Sequence, residues 1–351
     1  MSLTANRVHF VMLSRRPEGI LVNRSDALRR LAPRLSLPLI AAPMFLVSGI
    51  DLVVAACSCG VIGSFPTANC RSADEVDRWL GEIGRRLQAH ADASGTAPAP
   101  VCANLIVHRS NVRLGDDLRA LLRHAPEVVI TSVGSPESVV APLHDAGAVV
   151  LADVATLRHA RRALEAGADG LVLLTAGAGG QTGWLNPFAF VRAVRSFFAG
   201  PLVLAGGVSD GFALFAAETL GCDLAYMGTR FIATRESMAA AGYKDMLVAS
   251  SADDILLTKA FTGLQTNMLR PSITAAGLDP DALPERDPID IAKDIDVAAR
   301  EAEPKRWRDI WSAGHSVSGV DAVIPVAELV ACTRAEYMAA GKAVLDNRRT
   351  P

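Results

Sequence analysis

Apolar residues in this chain gather in short, nearly unbroken runs, and longer stretches with helical spacing separate them. The runs are PLIAAPM (38–44), VIGSFP (61–66), VCANLIV (101–107), VVITSV (128–133), VVLADV (149–154), GLVLLTA (170–176), PLVLAGG (201–207) and LAYMGTR (224–230). A strand that is apolar on both faces must be covered on both, as in a parallel sheet flanked by helices. The intervening stretches carry start and stop signals. Ser72 and Glu75 make a capping-box pattern ahead of Val76, Trp79, Leu80, Ile83 and Leu87. Ser135-Pro136-Glu137 and Asn186-Pro187 each place Pro at a helix start. Asp210 precedes a helix that stops at Gly221, the stretch from Ser135 ends near Gly147, and Leu157 to Ala166 ends at Gly167. Eight such units predict a closed (β/α)₈ TIM barrel. A doubly wound sheet would call for a dinucleotide fingerprint after the first strand, and PLIAAPMFLVSG does not supply it.

After Arg230 the texture changes. Residues 235–310 are Ala-rich and charged, as in ESMAAAGYKDMLVASS and DPIDIAKDIDVAAREAEPKRW, with a Pro-rich bend at 278–288 and one more apolar run in ADDILLTKAFTG. The division this predicts is a barrel from 1–234 and 311–351 and a mostly helical insertion at 235–310. The chain re-enters the barrel through IWSAGHSVSGV and closes with a helix around 325–345. The Ala/Pro-rich stretch 92–100 reads as an exposed loop.

Composition narrows the partners. Of 351 residues, 35 are Lys or Arg and 37 Asp or Glu, a net charge of −2. That balance lacks the phosphate attraction on which nucleic-acid binders depend, and it gives no basic membrane-binding face. Half the residues are hydrophobic, enough for a large core. Six Cys in a chain this long make no disulfide scaffold, and the N-terminus shows no secretory pattern. No segment offers about 20 apolar residues without charge. These features predict a soluble protein of a reducing compartment, the bacterial cytoplasm, with neither nucleic acid nor membrane as partner.

In barrels the chemistry sits at the C-terminal ends of the strands. Gly206-Gly207 follows the seventh run ahead of a helix, and Met227-Gly228-Thr229-Arg230 closes the eighth. Each is either a tight turn or a cradle that lets backbone N–H groups approach an anion, and their adjacency points to phosphate. The third junction, Ala176 to Trp184, holds four glycines in seven residues but fails G-x-G-x-x-G at Thr182. It reads as a flexible loop across a flat ligand, with Gln181 the polar side chain able to reach it. Asn104 is either a satisfied core amide or a contact to a heterocycle edge, and Asp153 either a strand-end site residue or a helix cap. His315, in WSAGHSVSGV, stands where the chain returns to the barrel. No G-x-S-x-G, H-E-x-x-H or Walker loop is present.

PLIAAPM, the Asn104 strand, AGAGGQTG, LVLAGGVSDG, AYMGTRFIATRES, FTGLQTNMLR and WSAGHSVSGV together resemble the nitronate monooxygenase (2-nitropropane dioxygenase) family over about residues 37–345. The resemblance implies an FMN-dependent oxidoreductase acting on alkyl nitronates with O₂. It implies a flavin ring against Ala42, Pro43, Met44 and Asn104, with Asp153, Gly179, Gly180 and Met227 also at the cofactor. The phosphate would lie on Gly206, Gly207, Gly228 and Thr229, and the reactive face under 177–183 and near 312–315. The scaffold is also similar to flavin-dependent enoyl-ACP reductases and NAD(P)H:quinone reductases, which makes an NAD(P)H-dependent reductase the alternative. Two departures stand out. Many members carry a catalytic His in A-G-G-H where this chain has Gln181, an amide that cannot act as a base. A related barrel has Lys after the fifth strand where this chain has Asp153. His315 is then the substitute acid or base.

Overall fold

The computed structural model describes residues 26–284 and 309–347. The eight runs form β1 (Leu39–Ala41), β2 (Ile62–Pro66), β3 (Val101–Ile106), β4 (Val128–Ser132), β5 (Val149–Val154), β6 (Gly170–Leu174), β8 (Leu202–Ala205) and β9 (Leu224–Met227). A two-residue strand, β7 (Gly180–Gln181), falls between the sixth and seventh of them. All eight pair in parallel, and β1 bonds both β2 and β9, which closes the barrel.

Side chains alternate along each strand. Ile40, Ile62, Cys102, Ile130, Leu151, Val172, Val203 and Tyr226 fill the barrel interior. Their neighbours Leu39, Ala41, Leu171, Leu173, Ala225 and Met227 pack outward against the helices. Both faces are therefore dry, which is why the runs read as continuous apolar sequence.

Four of the helices begin at side-chain caps. α1 (Asp26–Leu31) and α2 (Ile50–Ser58) come first. In α3 (Ala73–Ser94) the Ser72 hydroxyl accepts from Glu75 N, while Glu75 reaches back to Arg71 N rather than to the cap residue's own N–H. This helix covers the first part of the stretch expected as a loop at 92–100. α4 (Leu114–His124) and α5 (Glu137–Asp145) follow. Thr156 caps α6 (Leu157–Glu165) and Asn186 caps α7 (Pro187–Arg195), and Asp210 caps α8 (Gly211–Leu220), which ends at Gly221 with φ +115°. Asp153 caps nothing, because Thr156 already holds that position.

After the short α9 (Thr229–Ile232) the chain forms α10 (Ala241–Ala249) and then a hairpin, β10 (Ile255–Thr258) with β11 (Thr266–Leu269). β11 also pairs antiparallel with β7, so a three-stranded sheet, β10-β11-β7, stands over the barrel mouth. The 235–310 segment thus contributes strands as well as helices. α11 (Arg270–Ala275) follows, and the expected helix in 287–307 lies outside the described residues. α12 (Val326–Asn347) closes the fold against α8. Among the described residues no helix is long and apolar enough to cross a membrane, and the cysteines there are unpaired.

Candidate active site

A large cavity opens at the C-terminal ends of the strands. Its first wall is the turn after β1. Ala42 N donates to Met227 O at 3.1 Å, and the Ser48 hydroxyl accepts from Met44 N while donating to Ala42 O. Asn69 fixes the same turn by accepting from Leu46 N and donating to Met44 O and Ser48 O. Ala42, Pro43 and Met44 are thereby held against the cavity. On the next wall Asn104, 6% exposed, donates from Nδ2 to Ile130 O and accepts from Ser132 Oγ. Both amide atoms are thus engaged, yet the residue still lines the cavity beside Ser132 and Val133. Val133 sits at φ +58°, costly for a β-branched residue and the kind of strain that gathers at functional sites.

Opposite lies the Gly206–Gly207 turn. Gly206 has φ +124°, and a Cβ there would stand 2.5 Å from Thr175 Oγ1. Gly207 has φ +76°, and a Cβ on it would meet nothing within 4 Å. The first residue buttresses the turn and the second leaves its backbone open to the cavity. The first turn of α8 is less open than its sequence suggests. Ala213 N donates to Asp210 Oδ1, and Gly211 N donates to Glu336 Oε2 from α12. Carboxylates have therefore taken two N–H groups that an unfilled helix start would offer. The glycine turn itself remains. Gly228 and Thr229 line the cavity next to it, with Thr229 Oγ1 accepting from Gly314 N at 3.0 Å. The Arg230 guanidinium turns away to Gly319 O and Asp321.

The 177–183 segment is pinned rather than flexible. Gly180 and Gln181 pair with Asn267 and Thr266 of β11, and Asn267 Nδ2 donates to Ala178 O at 2.7 Å. Thr182 Oγ1 donates to Thr175 O at 2.7 Å. A Cβ on Gly179 would stand 2.7 Å from Gly314 N, so the two backbones touch. Gly179, Gly180 and Gln181 all line the cavity.

At the floor are two groups that hydrogen bonding leaves unmatched. Asp153 Oδ1 and Tyr226 Oη are closed to water and without a partner. Both residues line the cavity. Burial raises the Asp153 carboxyl to about 7, because taking its charge out of water is unfavourable. Burial, together with the Asp153 charge, pushes the Tyr226 phenol well above its ordinary value. Among the described residues that line the cavity there is no Lys, Arg or His. The electrostatics of this site are those of acids and backbone dipoles.

Two expected residues are not brought here. Met227 follows inward-facing Tyr226 and so points outward into the helix layer, fully buried. His315 donates its N–H to Gly177 O at 2.9 Å, but its ring lies exposed behind Gly177. The neighbouring Ser312, Ala313 and Ser316 line the cavity instead. Trp184, which sequence places nearby, is 75% exposed. Sequence reading missed Tyr226, Tyr243, Thr262 and Leu264, all of them lining residues. Strand alternation from Met227 would have found Tyr226. Tyr243 stacks on Trp311 with ring centroids 5.0 Å apart and hydrogen-bonds Ser312 O, a tertiary pairing with no local signature.

A cavity at this end of a parallel barrel, built by the loops that follow the strands, places the protein in the class of barrel enzymes. The chain belongs to the nitronate monooxygenase family of flavoprotein oxidoreductases, whose pattern matches residues 30–334. It is 28% identical over 345 residues to a nitronate monooxygenase of Paraburkholderia phytofirmans, covering 86% of this chain and 93% of that one. Among solved structures it resembles FabK from Thermotoga maritima, with TM-score 0.75 and 22% identity over 92% of this chain and 99% of that one. It is equally close to nitroalkane oxidase from Streptomyces ansochromogenes, with TM-score 0.74 and 24% identity over 91% and 99%. At these identities the structural likenesses show the shared fold.

Proposed function

We propose that the protein is an FMN-dependent cytoplasmic enzyme that oxidises alkyl nitronates with O₂. The observation that carries the substrate class is Gln181 at the pinned segment, with no His or Lys among the described lining residues and with Asp153, the one carboxyl there, held toward its protonated form by burial. A neutral nitroalkane must lose a Cα proton to a base, whereas a nitronate arrives already deprotonated. An amide offers hydrogen bonds but no basic nitrogen at neutral pH.

The residues fit a flavin mononucleotide. The Gly207 backbone stands open where a phosphate needs close approach, and unpartnered polar groups on the floor suit a polar heterocycle. Gly206, Gly207, Gly228 and Thr229 would hold the phosphate, with Ala42, Pro43, Met44, Asn104, Asp153, Gly179 and Gly180 along the ring. Bound there, FMN would supply electron transfer between substrate and O₂. The chain's own share is binding, orientation and exclusion of water. The β1 turn and Asn104 fix one wall, while the sheet of β7, β10 and β11 roofs the other. Residues 235–284 read as a cap that completes the site from outside the barrel, through Tyr243, Thr262 and Leu264.

The test compares turnover of propyl-nitronate with that of neutral nitropropane. The wild type should favour the nitronate, and Gln181→His should raise nitroalkane turnover, toward the roughly 10²-fold that a positioned base supplies. Equal, rapid turnover of both by the wild type would refute the assignment of Gln181.

A further inference from the structure

At the cavity floor two side-chain oxygens, Tyr226 Oη and Asp153 Oδ1, have no hydrogen-bond partner. Tyr226 is 8% exposed, its hydroxyl lies in the barrel interior, and no protein atom accepts from or donates to it. Asp153, from β5, has an Oδ1 in the same condition. The groups facing Asp153 are Tyr226 from β9 and Cys102 from β3, and burial raises both of them too. No Lys, Arg or His stands among the described lining residues to compensate a charge. A buried carboxylate without a counter-ion is costly, and the cheapest remedy is to keep the proton. A neutral carboxylic acid is then a donor, as the phenol beside it is.

We propose that Asp153, which lines the cavity floor, stands as a neutral carboxylic acid whose O–H binds an electron-rich carbonyl edge of the flavin ring. The proposal rests on the flavin reading above and adds a protonation state to it. The carboxyl O–H is a positioning donor for negative charge on that edge, supplied without any cation. Because the ligand accepts from the acid form only, its binding and proton retention at Asp153 are linked, and each favours the other.

Two measurements test this. Infrared difference spectra between the ligand-free wild type and Asp153→Asn should show a protonated carboxyl band at pH 6 that fades through about pH 7. Its absence at pH 6 would overturn the proposal whether or not flavin binds. Calorimetric titration of apoprotein with FMN, in two buffers of different ionisation enthalpy, then counts protons. At pH 8 the wild type should take up about half to one proton more per FMN than Asp153→Asn does, falling to near zero at pH 6. The FMN phosphate titrates alike in both proteins, so the difference isolates Asp153. Asn keeps a donor, so its affinity should survive and keep only the pH dependence of the FMN phosphate, while Asp153→Leu should bind about tenfold more weakly at pH 6. Identical proton uptake by wild type and Asp153→Asn would overturn the linkage. A band at pH 6 without FMN binding by any variant would overturn the flavin reading and the ligand named here.

Discussion

Asp153 carries a consequence for the empty protein as well. Its carboxyl sits at about 7 in the fold, against roughly 3.9 for a free Asp. The folded state therefore binds more protons than the unfolded state between these values, and stability falls as pH rises across that window. The contribution is whole below about pH 4 and gone above about pH 7. In urea titrations of apoprotein, the advantage of Asp153→Asn over wild type should grow from pH 4 to 7 and then level off. A constant difference would mean that the carboxyl titrates normally. His315 supports an opposite expectation. Its ring is exposed behind Gly177 and outside the cavity, so His315→Gln should leave nitronate turnover unchanged within about twofold. At single positions the sequence was legible wherever local chemistry marks a role. The paired glycines and Gln181 stand out from their runs. Met227 was misplaced because proximity to Gly228 outweighed the strand's period of two, which sends it outward when Tyr226 points in.

The elements that frame the cavity depend on a few long-range bonds. Asn267, 3% exposed, holds Ala178 O from a hairpin 89 positions along the chain. Asn267→Ala should leave that buried carbonyl without a donor, at a cost of about 1–3 kcal/mol. Thermal unfolding would read the loss, and flavin retention should fall with it. Gly206→Ala forces a Cβ into Thr175 Oγ1 at a positive φ, so it should cost about 1–3 kcal/mol and weaken FMN binding. The eight barrel strands were legible because each is a local apolar run, and Ser72, Asn186 and Asp210 marked three of the helix starts. The β10-β11 hairpin was not. β10 is a half-buried strand with one exposed side chain, and the pairing of β11 with β7 is decided by contacts far apart in sequence. The same distance hid the pinning of 177–183, where four glycines suggested mobility that the sheet removes.

A buried ion pair ties the helix layer to the barrel. Arg195 and Asp223 are 8% and 4% exposed at 2.7 Å, and Asp223 also accepts from Leu202 N. Arg195 further donates to Gly200 O and Gly221 O, tying α7 to the strands on either side of α8. Arg195→Ala leaves the carboxylate buried without its counter-ion, so it should destabilise the fold by about 3–5 kcal/mol. The fold class was legible from chain-wide alternation, while the reaction depends on what the floor and roof of one cavity contain. That reaction is tested by mixing purified holoprotein anaerobically with propyl-nitronate and, separately, with NADH, while following the visible absorption. A yellow protein that bleaches with nitronate and stays coloured with NADH is the result predicted. A colourless protein, or a flavin that NADH bleaches while nitronate leaves it untouched, would contradict the account.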